Sequence, residues 1–252
     1  MELDFIKEMF NAIAPRYDFL NRLLSLRQDV YWRRVMISAL NLTNQDIILD
    51  VACGTGDVMI EIIDRNPNQK QVIGVDFAPE MLKLASNKLT QKNTGRNTHQ
   101  SIHRNIHKSI QLIAGNGLHL PFSSNTFDAI TIAFGIRNIM DRESALTCFF
   151  NCLKPGGALA VLELATPKNK FFLSLYLFYF KRILPLIGSF FSKQINAYTY
   201  LPESVINFPA ADEFAAIMKQ AGFTDIKWQS LTMGIATLFI GYKPRKNTLK
   251  KT

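Results

Sequence analysis

Two glycines follow the first strongly apolar stretch of the chain and form a loop that could hold a ligand. The run at 47–52 (IILDVA) has the length of a buried strand, Gly54 and Gly56 come next, and VMIEIIDR continues with helical character. Glycine lets the backbone turn tightly and lets a ligand approach without a Cβ in the way. The first N–H groups of the following helix have no partner within it and point toward such a ligand. The sequence therefore predicts a cofactor site at this loop.

The residues around the loop distinguish two kinds of cofactor. The dinucleotide fingerprint of dehydrogenases requires a third glycine, and Met59 occupies that position here. Asp50 stands just before the loop, where an acid suits a ligand that carries a cationic sulfonium and ammonium better than it suits a pyrophosphate. The pattern favours an S-adenosylmethionine site over a nicotinamide site, and we expect Asp50, Gly54 and Gly56 to contribute to it.

Polar residues stand at the ends of the later apolar runs. Asp76 ends the second run, where a carboxylate can accept both ribose hydroxyls, and Asn116-Gly117 follows the third, where an amide can bond the adenine edge. Ala133 ends the fourth run. Ligands of open α/β sheets bind outside the carboxyl ends of the strands, so we expect these residues to line one cleft. The alternative roles are a helix N-cap for Asp76 and a common turn for Asn116-Gly117.

The elements that must position these residues alternate between strand and helix. Apolar runs at 47–52, 71–76, 110–115, 127–134 and 157–164 are separated by helical patterns, which predicts a mainly parallel sheet covered on both faces. A helix at 210–221 precedes two consecutive strands, 224–231 and 235–242, which we expect to form an antiparallel hairpin at the sheet edge. The prediction is a single α/β domain over 1–252 with the seven-stranded, Rossmann-like sheet of class I methyltransferases.

Composition limits the surroundings of this domain. The formal net charge is +9 and the pI is about 9.5, which favours an anionic partner such as a nucleic acid, a membrane surface or an acidic metabolite. Five cations lie in the tail at 243–252. The three cysteines form no paired framework and the N-terminus has no secretory pattern, so a reducing, cytoplasmic compartment is expected. Residues 1–42 are predicted to be a helical N-terminal cap interrupted at Pro15.

Several segments together resemble the ubiquinone/menaquinone biosynthesis C-methyltransferase family over nearly the whole chain. The segments are IAPRYDFLN (13–21), CGTGD (53–57), LPF (120–122), FD (127–128), FGIRN (134–138), LKPGG (153–157), LE (162–163), YTYLPESVINF (198–208) and AGF (221–223). The resemblance implies methyl transfer from S-adenosyl-L-methionine to a ring carbon of a prenylated benzoquinol or naphthoquinol. It also implies that Thr55, Asp76, Asn116 and Gly117 contact the cofactor. Two departures are an alanine, Ala133, where the family often has serine, and a longer, more polar segment at 91–109.

Such a reaction needs a group that stabilises a phenolate, because an ionised hydroxyl pushes charge onto the adjacent ring carbon. Arg137 is the best candidate, as a charge stabiliser or by positioning a water, since a guanidinium stays protonated in proteins. Asn138 and Tyr17 are expected to orient the quinol hydroxyls, with Asp18 as a further polar contact. The alternatives are an ion pair between Arg137 and Asp141, and a capping and packing role for Tyr17 and Asp18.

The apolar run at 171–191 lies inside a predicted helical insertion, 168–200, on the substrate side. Lys181 and Arg182 at its middle and Pro185 argue against a membrane span. The run suits a roof for a prenyl tail, peripheral contact with the inner face of the membrane, or an ordinary core helix. His99, His103 and His107 repeat every four residues within a polar segment that contains no acid, so a solvated loop is expected and no metal site.

The alternative function from another class is methylation of a nucleic acid or a protein, which the basic pI suggests. Enzymes that methylate base amino groups often carry (Asn/Asp)-Pro-Pro-(Tyr/Phe) after the fourth strand, where this chain reads FGIRN (134–138). Cys148 and Cys152 lack the context of an RNA carbon methyltransferase nucleophile. The sequence therefore favours a quinol acceptor and no nucleic acid partner. It leaves a homodimer, the prenyl length and the choice between a naphthoquinol and a benzoquinol open.

Overall fold

A seven-stranded sheet forms the centre of the protein in the computed structural model, which describes residues 2–94, 109–179, 182 and 195–245. The strands are β1 (Ile47–Val51), β2 (Gln71–Asp76), β3 (Ile110–Ala114), β4 (Phe127–Ala133), β5 (Leu153–Leu164), β6 (Thr224–Leu231) and β7 (Ala236–Tyr242). They lie in the order β3-β2-β1-β4-β5-β7-β6. The first five pair in parallel, and β7 pairs antiparallel with both β5 and β6. The predicted parallel sheet and its C-terminal hairpin are confirmed.

Helices cover both faces of this sheet, as its buried parallel strands require. They are α1 (Glu2–Leu24), α2 (Gln28–Ala39), α3 (Asp57–Arg65), α4 (Pro79–Thr94), α5 (Arg142–Cys152), α6 (Lys170–Phe178), α7 (Ile195–Ile206) and α8 (Ala211–Gln220), with a 3-10 turn at Ile136–Asn138. One apolar cluster centres on Phe127, Phe149 and Phe214, and a second on Met36, Met59 and Ile62 across the sheet. The order of strands reverses between β1 and β4, and ligand sites of such folds form at that point.

The N-terminal helix differs from the prediction, because Pro15 does not interrupt it. Helix α1 runs unbroken through this residue. A proline removes one intrahelical hydrogen bond and usually breaks a helix. Here tertiary packing offsets that cost, because Ala14 is buried against Ala78 and Met81 at the start of α4.

Two element boundaries also differ. Helix α4 continues to Thr94, into the polar segment at 91–109 that is expected to be a loop, and residues 95–108 with the three histidines lie outside the described residues. Strand β5 begins at Leu153, before the predicted start at Gly157, because Leu153 pairs with Phe127 across an irregularity in the register. Most of the run at 171–191 also lies outside the described residues, beyond α6. Among the described helices, none is both long and apolar enough to cross a membrane.

Candidate active site

Two cavities of similar size, about 160 and 150 Å³, lie side by side at the carboxyl ends of the parallel strands. The glycine-loop cavity is lined by residues after β1, β2, β3 and β4 together with Ile6, Phe10 and Tyr17 of α1. The aromatic cavity lies between α1, α2, α6 and α7. Three aromatic residues, Phe10, Tyr17 and Phe134, line both cavities. A ligand in one cavity therefore meets a ligand in the other at these side chains.

The glycine-loop cavity forms where two loops approach closely. Gly54 has a φ of +54°, and a Cβ added there would meet no atom within 4 Å, so its backbone faces open space. A Cβ on Gly135 would lie 2.6 Å from the Cβ of Ala52, so only glycine permits this contact between the loops that follow β1 and β4. Gly54 thus leaves space for a ligand, whereas the absence of a side chain at Gly135 has a steric basis within the protein.

Asp76 carries the one carboxylate among the described residues that line the glycine-loop cavity. Its Oδ2 accepts from the backbone N–H of Gly54 at 2.8 Å, and its Oδ1 accepts from that of Ala78 at 2.9 Å. Burial raises the pKa of Asp76, and these backbone N–H groups act against that rise. The carboxylate is therefore fixed in orientation, and each oxygen retains capacity to accept a hydroxyl.

The adenine-side residues that the sequence predicts also line this cavity. Asn116 accepts from the Leu118 N–H at 3.0 Å through Oδ1, which leaves its amide nitrogen as the donor. Gly117, Ala133 and Asn138 line the same cavity. A Cβ on Gly117 would lie 3.1 Å from Val51, so a small residue is needed there. Residues from four strand ends thus converge on one space.

Three residues predicted to bind the cofactor do not line the cavity. Asp50 is buried with 1% exposure, accepts from the Thr131 hydroxyl at 2.7 Å and lies behind the loop. Burial raises the pKa of Asp50 to about 7, although the Thr131 hydrogen bond opposes the rise. The Thr55 side chain is also buried, and Gly56 with a φ of +81° precedes α3 and packs against Ala85. These residues shape the loop from behind.

The aromatic cavity contains most of the residues that sequence reasoning missed. Four tyrosines line it together with an indole and two arginines: Tyr17, Tyr176, Tyr179, Tyr200, Trp32, Arg33 and Arg137. The Tyr179 hydroxyl donates to the Leu24 carbonyl at 3.0 Å, and the Trp32 indole donates to the Thr232 hydroxyl at 2.7 Å. These contacts join segments that are far apart in sequence. The cavity combines flat apolar rings with hydroxyl and guanidinium donors.

Arg137 is held by a buried carboxylate. Its Nη1 donates to Oε1 of Glu163 at 2.8 Å, its backbone N–H donates to the other oxygen of Glu163 at 3.1 Å, and its Nε donates to the Ser204 hydroxyl at 3.3 Å. Glu163 is 0% exposed. Burial acts to lower the pKa of Arg137, but the Glu163 carboxylate overcomes this effect and raises it. The guanidinium is therefore a fixed positive charge at the cavity.

The partner of Arg137 differs from the alternative considered from the sequence. Asp141 does not pair with it, because its carboxylate caps α5 by accepting from the Ser144 N–H at 2.9 Å. Within the part of the chain that the structure describes, Nη2 of Arg137 donates to no residue. A donor that lines the cavity is thus left for an oxygen of a ligand.

Asn138 and Tyr17 stand at the junction of the two cavities. The Tyr200 hydroxyl, on the aromatic side, donates at 2.9 Å to Oδ1 of Asn138, which lines the glycine-loop cavity. Tyr17 lines both cavities. Burial raises its pKa above the ordinary value, and the charge of Arg137 only partly opposes this rise. Phe134 between them has a φ of +58°, a strained backbone for a residue with a side chain. The strain places the Phe134 ring where the cavities meet.

Asp18, expected as a further polar contact of the quinol, lies away from both cavities. Its carboxylate accepts from the Thr55 hydroxyl at 2.5 Å and from Lys88 at 2.7 Å. Adjacent helix positions point about 100° apart, so Tyr17 faces the cavities while Asp18 turns toward α4.

Sequence signals existed for part of what was missed. Glu163 lies in the apolar fifth strand, where an acid is unusual, and Tyr200 lies in the segment 198–208 that carries the resemblance. Tyr176 and Trp32 had no such signal, because aromatic residues in helices usually belong to the core. Their place at the cavity depends on how distant helices pack.

Comparisons with known proteins agree with this geometry. Residues 2–243 match the ubiE/COQ5 methyltransferase family. The chain is 44% identical to a ubiquinone/menaquinone biosynthesis C-methyltransferase from Geotalea daltonii, covering 94% of this chain and 96% of that one. It is 41% identical to a demethylmenaquinone methyltransferase from Thermus thermophilus, covering 94% and 100%.

Solved structures agree on the fold. The [4+2]-cyclase SpnF superposes with a TM-score of 0.68 at 14% identity, over 95% of this chain and 96% of that one. A possible histamine N-methyltransferase from Thermotoga maritima superposes with a TM-score of 0.61 at 16% identity, over 94% and 98%. The sheet is that of the class I S-adenosylmethionine-dependent methyltransferases. On its sequence, the chain belongs to the ubiE/COQ5 methyltransferase family.

Proposed function

We propose that the chain transfers a methyl group from S-adenosyl-L-methionine to a ring carbon of a prenylated quinol, and that the acceptor is demethylmenaquinol. The observation that carries the proposal is the position of Arg137. Its charge lines an aromatic cavity that meets the glycine-loop cavity at Phe134 and Tyr17. A flat aromatic acceptor that must ionise fits such a cavity, and the names of the relatives point to the same substrate class.

The glycine-loop cavity fits the cofactor. Gly54 leaves space for close approach, Asp76 can accept the two ribose hydroxyls, and the amide of Asn116 can donate to the adenine edge. When bound, S-adenosyl-L-methionine supplies the methyl group as an electrophile on a sulfonium. Phe134, which lines both cavities, would face the end of the cofactor that carries the methyl group. Ala133 lacks a hydroxyl, so no side-chain hydrogen bond comes from that position.

The aromatic cavity then supplies alignment and charge. The ring carbon beside an ionised hydroxyl would form the bond to the methyl group while the methyl–sulfur bond breaks and S-adenosylhomocysteine is left. The proton on that carbon would then pass to solvent, which restores the aromatic ring. Arg137 stabilises the phenolate with its Nη2 group, and Glu163 keeps the guanidinium in place. Asn138 and Tyr17 lie where they can orient the second hydroxyl. Preorganised donors in a water-poor site contribute about 10²–10³-fold to such a rate.

A prenylated acceptor also requires an apolar route out of the cavity. Leu20, Leu24 and Tyr176 form an apolar cluster at its edge. The outer face of α6 beside it exposes Phe171, Leu175 and Phe178 at 72%, 57% and 57%, positions that follow helical spacing. We propose that this face rests on the inner surface of the membrane from which the quinol enters. Replacing the three with serine should reduce flotation with liposomes while leaving turnover of a short-chain quinol intact.

Transfer of labelled methyl from S-adenosyl-L-methionine tests the function directly. The acceptors are reduced demethylmenaquinol, the matching ubiquinol precursor and tRNA, assayed in parallel. Label on the naphthoquinol ring carbon is the expected result. Label on the benzoquinol alone would change the ring preference. Label on RNA, or none on either quinol while the cofactor binds, would keep the fold and refute the acceptor.

A further inference from the structure

Helix α1 covers both cavities. Ile6, Phe10 and Tyr17 line the glycine-loop cavity, and Phe10 and Tyr17 also line the aromatic cavity. The helix must stay closed while donor and acceptor react, because it carries Tyr17. A cofactor bound in the glycine-loop cavity would lie against this helix, so a shift of α1 would widen its way out. The contacts that fasten α1 should therefore govern both placement and release.

Both apolar and polar contacts fasten α1 to the rest of the protein at this point. Ala14 is buried against Ala78 and Met81 of the loop and helix after β2. Asn11 of α1 accepts from the Glu80 N–H at 3.2 Å, and a denser set of polar contacts lies one turn beyond Ala14, around Asp18. The Thr55 hydroxyl donates to one carboxylate oxygen of Asp18 at 2.5 Å, and Nζ of Lys88 donates to the other at 2.7 Å.

Lys88 of α4 is the centre of this cluster. Besides Asp18, its Nζ donates to the Thr55 hydroxyl at 3.0 Å and to the carboxylate of Asp57 at the start of α3. The side chains of Lys88, Asp18 and Asp57 are 24%, 24% and 19% exposed. We call these four residues the Lys88 clasp. It joins α1, the glycine loop, α3 and α4 through a single ammonium group.

The surrounding charges show how much depends on that ammonium. On the far side, Asp57 pairs with Arg33 at 3.0 Å, and Arg33 also pairs with Asp29 of its own helix. Arg22 of α1 approaches Asp57 at 3.8 Å. Burial acts to raise the pKa of Asp57, but Arg33 and Lys88 lower it below its ordinary value. Asp57 keeps cationic partners without Lys88, whereas Asp18 would keep only the Thr55 hydroxyl among its hydrogen bonds described above.

We propose that Lys88 is a positioning residue that holds α1 closed over the glycine loop, and so sets the placement of Tyr17 and the rate at which used cofactor leaves. This inference rests on the proposed function for the identity of the cofactor. Lys88 lines neither cavity and acts through Asp18 and Thr55. Without its ammonium, the carboxylates of Asp18 and Asp57 repel each other across the clasp, and α1 opens more often.

The experiment compares Lys88→Met with Lys92→Met. Lys92 lies on the same helix and pairs with Asp64 of α3, so it is a matched ion pair outside the clasp. Dissociation of S-adenosylhomocysteine is followed by stopped flow, and kcat and the KM for each substrate are measured. Lys88→Met should release the product about tenfold faster, because loss of the clasp should shift the equilibrium between closed and open α1 by about that factor. Its KM for S-adenosyl-L-methionine should rise, Lys88→Arg should recover most of the change, and Lys92→Met should match the unaltered protein.

Several results would overturn the inference. They are an unchanged release rate in Lys88→Met, or an equal increase in Lys92→Met, which would indicate a general charge effect. Asp18→Asn weakens the same clasp from the side of α1, with a side chain of the same size, and should also speed release of the product. This variant replaces Lys88→Met if Lys88→Met does not fold. An unaltered protein that fails to bind S-adenosylhomocysteine would overturn the proposed function itself, whereas normal binding with unchanged release in the variants would overturn this inference alone.

Discussion

The two cavities meet at the same edge of the sheet but are built differently. The glycine-loop cavity is formed by short segments at the ends of β1 to β4, and its key carboxylate, Asp76, is held by two backbone N–H groups. The aromatic cavity is formed by side chains from α1, α2, α6 and α7, joined by contacts such as Trp32 to Thr232, 200 residues apart. The first follows from the sheet, and the second follows from how helices pack upon it. Substitutions should therefore separate donor binding from acceptor chemistry.

The largest effect should come from Arg137 in the aromatic cavity. Arg137→Ala should lower turnover by about 10³-fold, because it removes the charge that stabilises the phenolate. The affinity for S-adenosyl-L-methionine, measured by calorimetry, should change little, because Arg137 does not line the glycine-loop cavity. A loss of turnover together with a loss of cofactor affinity would instead indicate a structural role.

A control for the Arg137 variant must also remove the charge of Glu163, the buried partner of Arg137. Removing one partner of a buried ion pair costs about 3–5 kcal/mol of stability, because the other charge is left unpaired. The double variant Arg137→Met with Glu163→Gln removes both charges and should unfold closer to the unaltered protein in a thermal melt. It should still be inactive. If it regains turnover, the guanidinium is not needed for the chemistry.

Asp76→Asn tests the other cavity and should have the next largest effect. The two carboxylate oxygens of Asp76 accept from the N–H groups of Gly54 and Ala78 and can also accept the two ribose hydroxyls. An amide has only one acceptor oxygen and cannot make all of these hydrogen bonds. A hydrogen bond to a charged group contributes about 1.5–3 kcal/mol, so cofactor affinity should fall about 10–100-fold. The KM for the quinol should stay close to its original value. Asp64→Asn, at the surface of α3, serves as the control, and an equal loss of affinity there would refute the assignment of Asp76.

Gly135→Ala should affect both cavities, because Gly135 lines the glycine-loop cavity and directly follows Phe134, which lines both. The new Cβ would be 2.6 Å from that of Ala52, so the loops after β1 and β4 must move apart. Overpacking of this kind costs about 1–3 kcal/mol, and we expect a lower melting temperature with about tenfold weaker cofactor binding and slower turnover. Gly54→Ala meets no protein atom, so its stability should fall by only about 1 kcal/mol from the positive φ. Equal destabilisation of the two variants would contradict the close loop contact.

The same comparison explains which features the sequence predicted. Gly54, Asp76 and Asn116 each follow an apolar run, so local pattern and the rule for parallel sheets place them together. Glu163 and Tyr200 reach the site only through pairing across the fold, and their partners are 26 and 62 residues away. Asp50 is expected at the cofactor because it stands just before the loop, and Asp18 near the quinol because it stands beside Tyr17. Their orientation depends on strand register and helix phase, which turned one toward Thr131 and the other toward Lys88.

Asp50 should have the smallest effect on turnover and a measurable effect on stability. Its pKa of about 7 in the folded protein exceeds the ordinary value of 3.8, because burial disfavours the charged carboxylate. Between pH 4 and pH 7 the unfolded chain has released this proton while the folded chain retains it. The contribution of Asp50 to the free energy of unfolding therefore falls as the pH rises through this range.

Asp50→Asn removes that dependence while preserving an oxygen that can accept from Thr131. At pH 8 the free energy of unfolding of the variant should exceed that of the unaltered protein by about 4 kcal/mol, and near pH 4 the difference should nearly vanish. Urea unfolding at both pH values measures it. Cofactor affinity should stay within a factor of about three, because Asp50 lies behind the loop with 1% exposure. A large loss of affinity would mean that the carboxylate reaches the ligand after all, and the glycine-loop cavity would then depend on a buried side chain as the aromatic cavity does.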